Sequence, residues 1–253
     1  MKKANLLILI TVLSFSACSK NDNPTVEPVV PQCKIVSIKE GDDPATTYTY
    51  DGNGKVSLVT NLYGFGTGTF TYQAGKINFT DINGSVNQSL TTDASGRLLS
   101  DGTDTYKYNS DGYLIEKYWN FVSTSVPEYV LSYSNGNLTK VTTDNNETID
   151  ITYDETESYQ DLIGYESPLW SPLLFNQHTF SNITATMIGK SSKNLVKTIV
   201  LKRPENGKIL QFNETYTYKK DQEGKITSLT IVSVSPGNFF NGTSIINFSY
   251  QCK

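Results

Sequence analysis

The chain has one histidine, three cysteines, two methionines and two tryptophans among 253 residues. A lone imidazole, His178, leaves little for a histidine-based triad, and its neighbours Phe175, Asn176 and Gln177 give no sign of one. Zinc would find few ligands beyond carboxylates. Runs of basic residues are missing and the formal charge is −4, which excludes a nucleic-acid partner held by phosphate neutralisation. No apolar run is long enough to span a bilayer as a helix. From Cys33 onward a sustained helical period is also lacking.

The N-terminus carries what the rest lacks. Lys2 and Lys3 precede a short apolar stretch over residues 6–13, then Phe15-Ser16-Ala17-Cys18. A basic start, a short apolar run and small residues before a lone cysteine read as a lipoprotein signal peptide over residues 1–17. Cleavage leaves Cys18 to be acylated, placing the mature chain on an envelope membrane, held by lipid. Phe15 stands where leucine is commoner in such signals. Lys2 and Lys3 leave with the signal, taking basic against acidic residues from 21 against 25 to 19 against 25. That deficit leaves the acyl chains as the expected membrane contact. Residues 18–32 hold the lipidated cysteine and a proline-rich linker, able to reach roughly 40 Å when extended. Ser19-Lys20-Asn21-Asp22 resembles, with fewer acids, the export signals that carry some Bacteroidota lipoproteins to the cell surface.

Two cysteines remain, Cys33 and Cys252. An oxidising envelope favours a disulfide between them over a metal site. Closing so long a loop is worth at most about 5 kcal/mol by the chain-entropy account. Two separate buried thiols are the alternative.

Between them one pattern recurs. Tyr48-Thr49-Tyr50-Asp51-Gly52-Asn53-Gly54-Lys55-Val56 is followed by Phe70-Thr71-Tyr72 with Gly75-Lys76-Ile77, and by Thr92-Asp93 with Gly96-Arg97-Leu98. Tyr106-Lys107-Tyr108 with Gly112, Leu131-Ser132-Tyr133 with Gly136, and Tyr216-Thr217-Tyr218 with Gly224-Lys225-Ile226 complete the set. Tyr-x-Tyr alternates at period two, so both rings fall on one face. Asp, Asn and Gly supply the turn that follows. Each repeat is one β-hairpin. The expected fold is all-β: an antiparallel meander of YxY-turn-strand hairpins over residues 33–253. It forms a closed or partly open barrel-like sheet, with tyrosines lining part of its interior and a short non-repeat plug or loop around 154–190. A Cys33–Cys252 bond would join its first and last strands.

The pattern resembles the tyrosine–aspartate repeats of large shell-forming secreted proteins. Together with Cys18 and the stretch Ile188-Gly189-Lys190-Ser191-Ser192-Lys193-Asn194-Leu195-Val196, it is similar to a Bacteroidota lipoprotein family, domain of unknown function 4595. That resemblance implies a porin-like, barrel-shaped lipoprotein and brings no catalytic residues.

Other motifs read more plainly as structure than as chemistry. Gly52-Asn53-Gly54 and Gly64-Phe65-Gly66 open no helix, as a phosphate cradle would require. Asp51, Asp93, Asp111 and Asp221 stand at hairpin tips, where Asp serves turn geometry. Asp154, Glu155, Glu157 and Asp161 form the one acidic cluster, in which a solvated loop competes with paired-carboxylate catalysis and with calcium. Residues 168–175 are apolar and broken by two prolines. They read as a plug over the core or a recognition loop carrying Trp170. Tyr63 and Phe65, and Phe239 and Phe240, sit beside glycines in loops and are candidate ligand-binding residues together with Trp170. They either present rings to a glycan or protein or fold inward. The expectation is a non-catalytic binding module on an outer-membrane lipoprotein, at the cell surface or on the periplasmic face, without cofactor or metal. A carbohydrate-active hydrolase and a structural scaffold are the alternatives. A membrane pore is disfavoured by strands of four to six residues and by polar Thr47, Thr49, Lys55 and Ser57 on the outer face.

Overall fold

A computed structural model describes residues 33–62, 66–84, 87–120, 125–158, 187–238 and 241–252, all within the unit Gln32–Lys253. Tyr-x-Tyr and its relatives appear as strands. In chain order these are β1 (Cys33–Glu40), β2 (Thr46–Tyr50), β3 (Val56–Leu62), β4 (Gly66–Gln73), β5 (Lys76–Asp81), β6 (Asn87–Thr92), β7 (Leu98–Ser100) and β8 (Asp104–Tyr108). There follow β9 (Leu114–Trp119), β10 (Tyr129–Ser134), β11 (Asn137–Thr143), β12 (Thr148–Ser158), β13 (Asn194–Glu205), β14 (Lys208–Lys220), β15 (Ile226–Val234) and β16 (Gly242–Cys252). Each strand pairs antiparallel with its sequence neighbours, and β1 pairs with β16 to close the barrel. The seam runs from Cys33 opposite Cys252 to Glu40 opposite Ile246, and a disulfide joins that first pair.

The sheet has an apolar inside. Ile35, Val59, Phe79, Leu90, Leu98, Leu114, Val141, Ile149, Ile199, Leu229 and Ile246 are fully buried. Burial of each is worth about 1.5–3 kcal/mol. The outer face is polar: Thr47 and Thr60 share a hydrogen bond across β2 and β3, as do Thr152 and Thr198 across β12 and β13. This is the reverse of a lipid-facing barrel, whose apolar band looks outward. The strands are not uniformly short, however: β12 to β16 run to 9–13 residues.

The interior is more aliphatic than a tyrosine-lined wall, for a geometric reason. The second tyrosine of each pair stands near the strand end, where its hydroxyl reaches a neighbouring backbone. Tyr50 donates to the Ile35 carbonyl (2.5 Å), Tyr72 to Val56 (2.8 Å) and Tyr108 to Leu98 (2.6 Å). Tyr153 donates to Leu138 (2.6 Å), Tyr218 to Val196 (2.9 Å) and Tyr250 to Ile226 (2.6 Å). Several acceptors are the apolar residue directly after the repeat's Lys or Arg. That cation lies over the same ring: Lys34 over Tyr50 (4.8 Å), Lys55 over Tyr72 (4.8 Å) and Arg97 over Tyr108 (4.9 Å). A Tyr-turn-Gly-Lys/Arg-apolar repeat thus builds the acceptor and cover for the tyrosine of an adjoining hairpin. These bonds, from Tyr50 on β2 to Tyr250 on β16, are the rungs of one end, the tip rim.

The tips repeat one turn. Asp51 Oδ1 accepts from the backbone N–H of Asn53 and Lys55, Asp93 Oδ1 from Ser95 and Arg97, and Asp221 Oδ1 from Glu223 and Lys225. At the β8–β9 tip Asn109 takes this part, and Asp111 is exposed. Residues 187–193 also cross the tip rim. Lys190 N–H donates to the Gly112 carbonyl (2.9 Å) and Lys193 N–H to Gly136 (3.0 Å), while Ser192 Oγ accepts from Leu138 N–H (3.1 Å). Asn137 and Asn194 bond reciprocally in the interior. The Ile188–Asn194 motif is therefore a strap tying two hairpin tips to the start of β13.

Candidate functional site

Up-and-down topology divides the links between two ends. The tip rim holds the Asp and Asn turns, the strap, the disulfide and the point where the chain enters at Cys33. The other end, the loop rim, gathers the links after β1, β3, β5, β7, β9, β11, β13 and β15.

At the tip rim three of the turn carboxylates are engaged. Asp51, Asp93 and Asp221 hold their own turns, and Arg97 pairs with Asp93 at 2.7 Å. Burial pushes against ionisation of Asp93, but hydrogen bonds from Arg97 and Ser95 bring its carboxyl below the usual range. Of the acidic cluster, Asp154 bonds the hydroxyl and N–H of Thr156, which lowers its carboxyl below the ordinary value, and Glu157 pairs with Lys220. Asp161 and His178 lie outside the described residues. Among the described residues no group of three His, Cys, Asp or Glu is placed to hold a metal ion.

The loop rim is different in chemistry. Several large apolar side chains stand in solvent there: Ile82 is 74% exposed, Ile209 65%, Val234 51% and Trp119 43%. Trp119 ends β9 directly opposite Asp104 of β8. Beside this pair Lys117, which is buried, meets Asp104 Oδ2 at 2.8 Å and Glu128 Oε2 at 2.7 Å, with its ammonium 5.1 Å from the centre of the Tyr129 ring. Asp101 Oδ1 caps the β7–β8 turn by accepting from Thr103 and Asp104 N–H, and its Oδ2 accepts from the Tyr106 hydroxyl at 2.8 Å. Burial lifts the Asp104 carboxyl above its ordinary value, against the pull of Lys117. Burial likewise raises Tyr106, with Asp101 and Asp104 adding to the shift. The sequence reading missed this cluster, because its residues come from three strands, β8, β9 and β10, and from the links before β8 and β10. The signal available was Tyr118-Trp119-Asn120-Phe121 ending an otherwise regular repeat.

The sequence candidates belong to links between strands of the barrel. Tyr63 and Phe65 belong to the β3–β4 link and Phe239 and Phe240 to the β15–β16 link, both joining strand ends at the loop rim. Trp170 belongs to the β12–β13 link, which starts and ends at the tip rim. Those five side chains, and the lipidation candidate Cys18, lie outside the described residues.

The sequence pattern of the Teneurin YD-shell matches residues 29–160, more than half of the chain. The chain belongs to the Teneurin YD-shell family. Its YD repeats are the tyrosine rungs and Asp turns described above, so the family signature in this chain is a signature of hairpin architecture. Among solved structures, a porin-like protein from Bacteroides uniformis superposes with a TM-score of 0.57 at 17% identity, covering 86% of this chain and 98% of that one. A porin-like protein from Bacteroides vulgatus gives 0.55 at 14% identity, covering 86% and 99%. At these identities the likeness is one of fold. No curated protein matches the chain.

Proposed function

We propose that this YD-shell protein is a lipid-anchored envelope module that binds a glycan or protein at its loop rim and performs no catalysis. The observation that carries the reading is the presence of exposed Ile82, Trp119, Ile209 and Val234 at that one end, on a link and on strand ends of the barrel. At the opposite rim tyrosine hydroxyls and turn carboxylates are engaged in holding the fold together. Support for an envelope address comes from the residues before Cys18 and from the fold shared with proteins described as porin-like from Bacteroides. Cys33, the first described residue of the barrel, lies at the tip rim, the end opposite the loop rim. The lipid anchor on Cys18 is then the membrane contact, and Tyr63, Phe65, Phe239 and Phe240 would add their rings to the binding end.

The test is an array of polysaccharides, mucins and matrix proteins probed with the full chain and with a Trp119→Ala variant. The reading predicts a reproducible hit, no product formed, and loss of the hit in the variant. Release of product would establish a hydrolase instead. Silence across the array would favour a scaffold.

A further inference from the structure

We infer that the loop rim docks a cationic segment of a partner protein, one that carries lysine or arginine among apolar side chains. This rests on the loop rim being the binding end and specifies what binds there. Asp104 and Trp119 are register partners, so carboxylate and indole stand on the same face, with Cβ atoms about 4.5–5.5 Å apart. Asp104 Oδ1 is shut off from solvent, so the carboxylates open to a partner beside the indole are the partly exposed Asp101 and Glu128. Among the described residues Lys117 supplies the ammonium of this cluster, and it already serves both Asp104 and Glu128. A half-exposed indole beside excess negative charge fits a guanidinium or ammonium, which stacks on the ring and donates to carboxylate. Tryptophan and arginine are also the residues that dominate protein interfaces.

The wider rim has the same bias. Asp42, Asp43 and Asp144 lie exposed in its links and Glu40 and Glu205 at strand ends, against exposed Lys39 and Lys208, while Arg203 is paired with Glu147. Cations gather at the opposite end, where Lys34, Lys55 and Arg97 cover tyrosine rings. That polarity would steer a basic partner to the loop rim. Ile82, Ile209 and Val234 then offer apolar surface that a neutral polysaccharide does not need.

The experiment uses three labelled peptides, alternating Lys–Leu, Gln–Leu and Glu–Leu, titrated against the full chain by fluorescence polarisation. Variants are Trp119→Ala, the exposed pair Asp42→Asn with Asp43→Asn, and Glu223→Gln at the tip rim as control. The inference predicts that Lys–Leu binds most tightly and weakens as salt rises. Affinity should fall about tenfold or more in Trp119→Ala, and severalfold in the double variant, which touches only exposed groups. Glu223→Gln should leave it unchanged. Equal binding of Gln–Leu that is lost in Trp119→Ala would overturn the cationic partner and keep the loop rim. Lys–Leu binding indifferent to every loop-rim substitution would overturn both, and no binding of Lys–Leu would overturn the cationic partner alone.

Discussion

Tyrosine does two jobs in this chain, set by position within Tyr-x-Tyr. The first ring of a pair, as in Tyr48 or Tyr106, is buried in the core. The second sits near the rim and donates to a carbonyl. Removing such a hydroxyl leaves a carbonyl unpaired, so Tyr72→Phe should cost about 1 kcal/mol in urea unfolding. Tyr133 provides the contrast. Its buried hydroxyl has no partner in the structure, so Tyr133→Phe should be neutral or slightly stabilising. Equal losses in both variants would remove the rung as the reason for the repeat. The phenols carry a pH consequence too. Burial, with Tyr72 beside it, pushes Tyr50 from 10.0 to about 12, and burial with Asp51 does the same for Tyr72. A raised folded-state value favours the protonated barrel. Its stabilising contribution is full below pH 10 and is lost as pH climbs from 10 toward about 12. Ultraviolet titration should show late-ionising tyrosines, and the unfolding midpoint should fall across that same window.

Hairpins were the element most legible from sequence. Period-two tyrosines, Asp or Asn at the tip and Gly before Lys or Arg each encode a local bond, so tips such as Asp51–Lys55 follow from short-range chemistry. The strap was legible only as a motif. Its bonds to Gly112, Gly136 and Leu138 join residues far apart in sequence, and no local preference reports them. Gly189 shows the constraint: its φ is +71°, and a Cβ there would meet the Gly112 carbonyl oxygen at 2.5 Å. Gly189→Ala should therefore destabilise by more than the roughly 1 kcal/mol of left-handed strain alone. Gly84, at φ +69° with open space around it, supplies the strain-only reference. Thermal unfolding of the two alanine variants decides between them, and a Gly189→Ala loss no greater than Gly84→Ala would mean the strap yields easily.

At the scale of the whole molecule the ends of the chain make the barrel. Closure was only half visible beforehand: Cys33 and Cys252 suggested that first and last strands meet, but registering β1 on β16 depends on the twist and stagger of every strand between. The disulfide spans a sequence separation of 219. Cys33→Ser with Cys252→Ser should cost up to about 5 kcal/mol while the circular dichroism of the folded state stays unchanged, since the seam retains its ladder. A variant that loses sheet signal before any denaturant is added would show that the bond, rather than the ladder, closes the barrel. The loop-rim cluster around Lys117 was hidden for the same reason as closure, being assembled from β8, β9 and the link before β10.

Division of the barrel into a structural end and a binding end is the central claim, and amide hydrogen exchange tests it most directly. With a partner recovered from the array bound to the full chain, exchange should slow at residues 41–45, 101–104 and 144–147 and stay unaltered at the tips 51–55, 93–97 and 221–225. Slowing at those tips, with the loop rim unaffected, would contradict it.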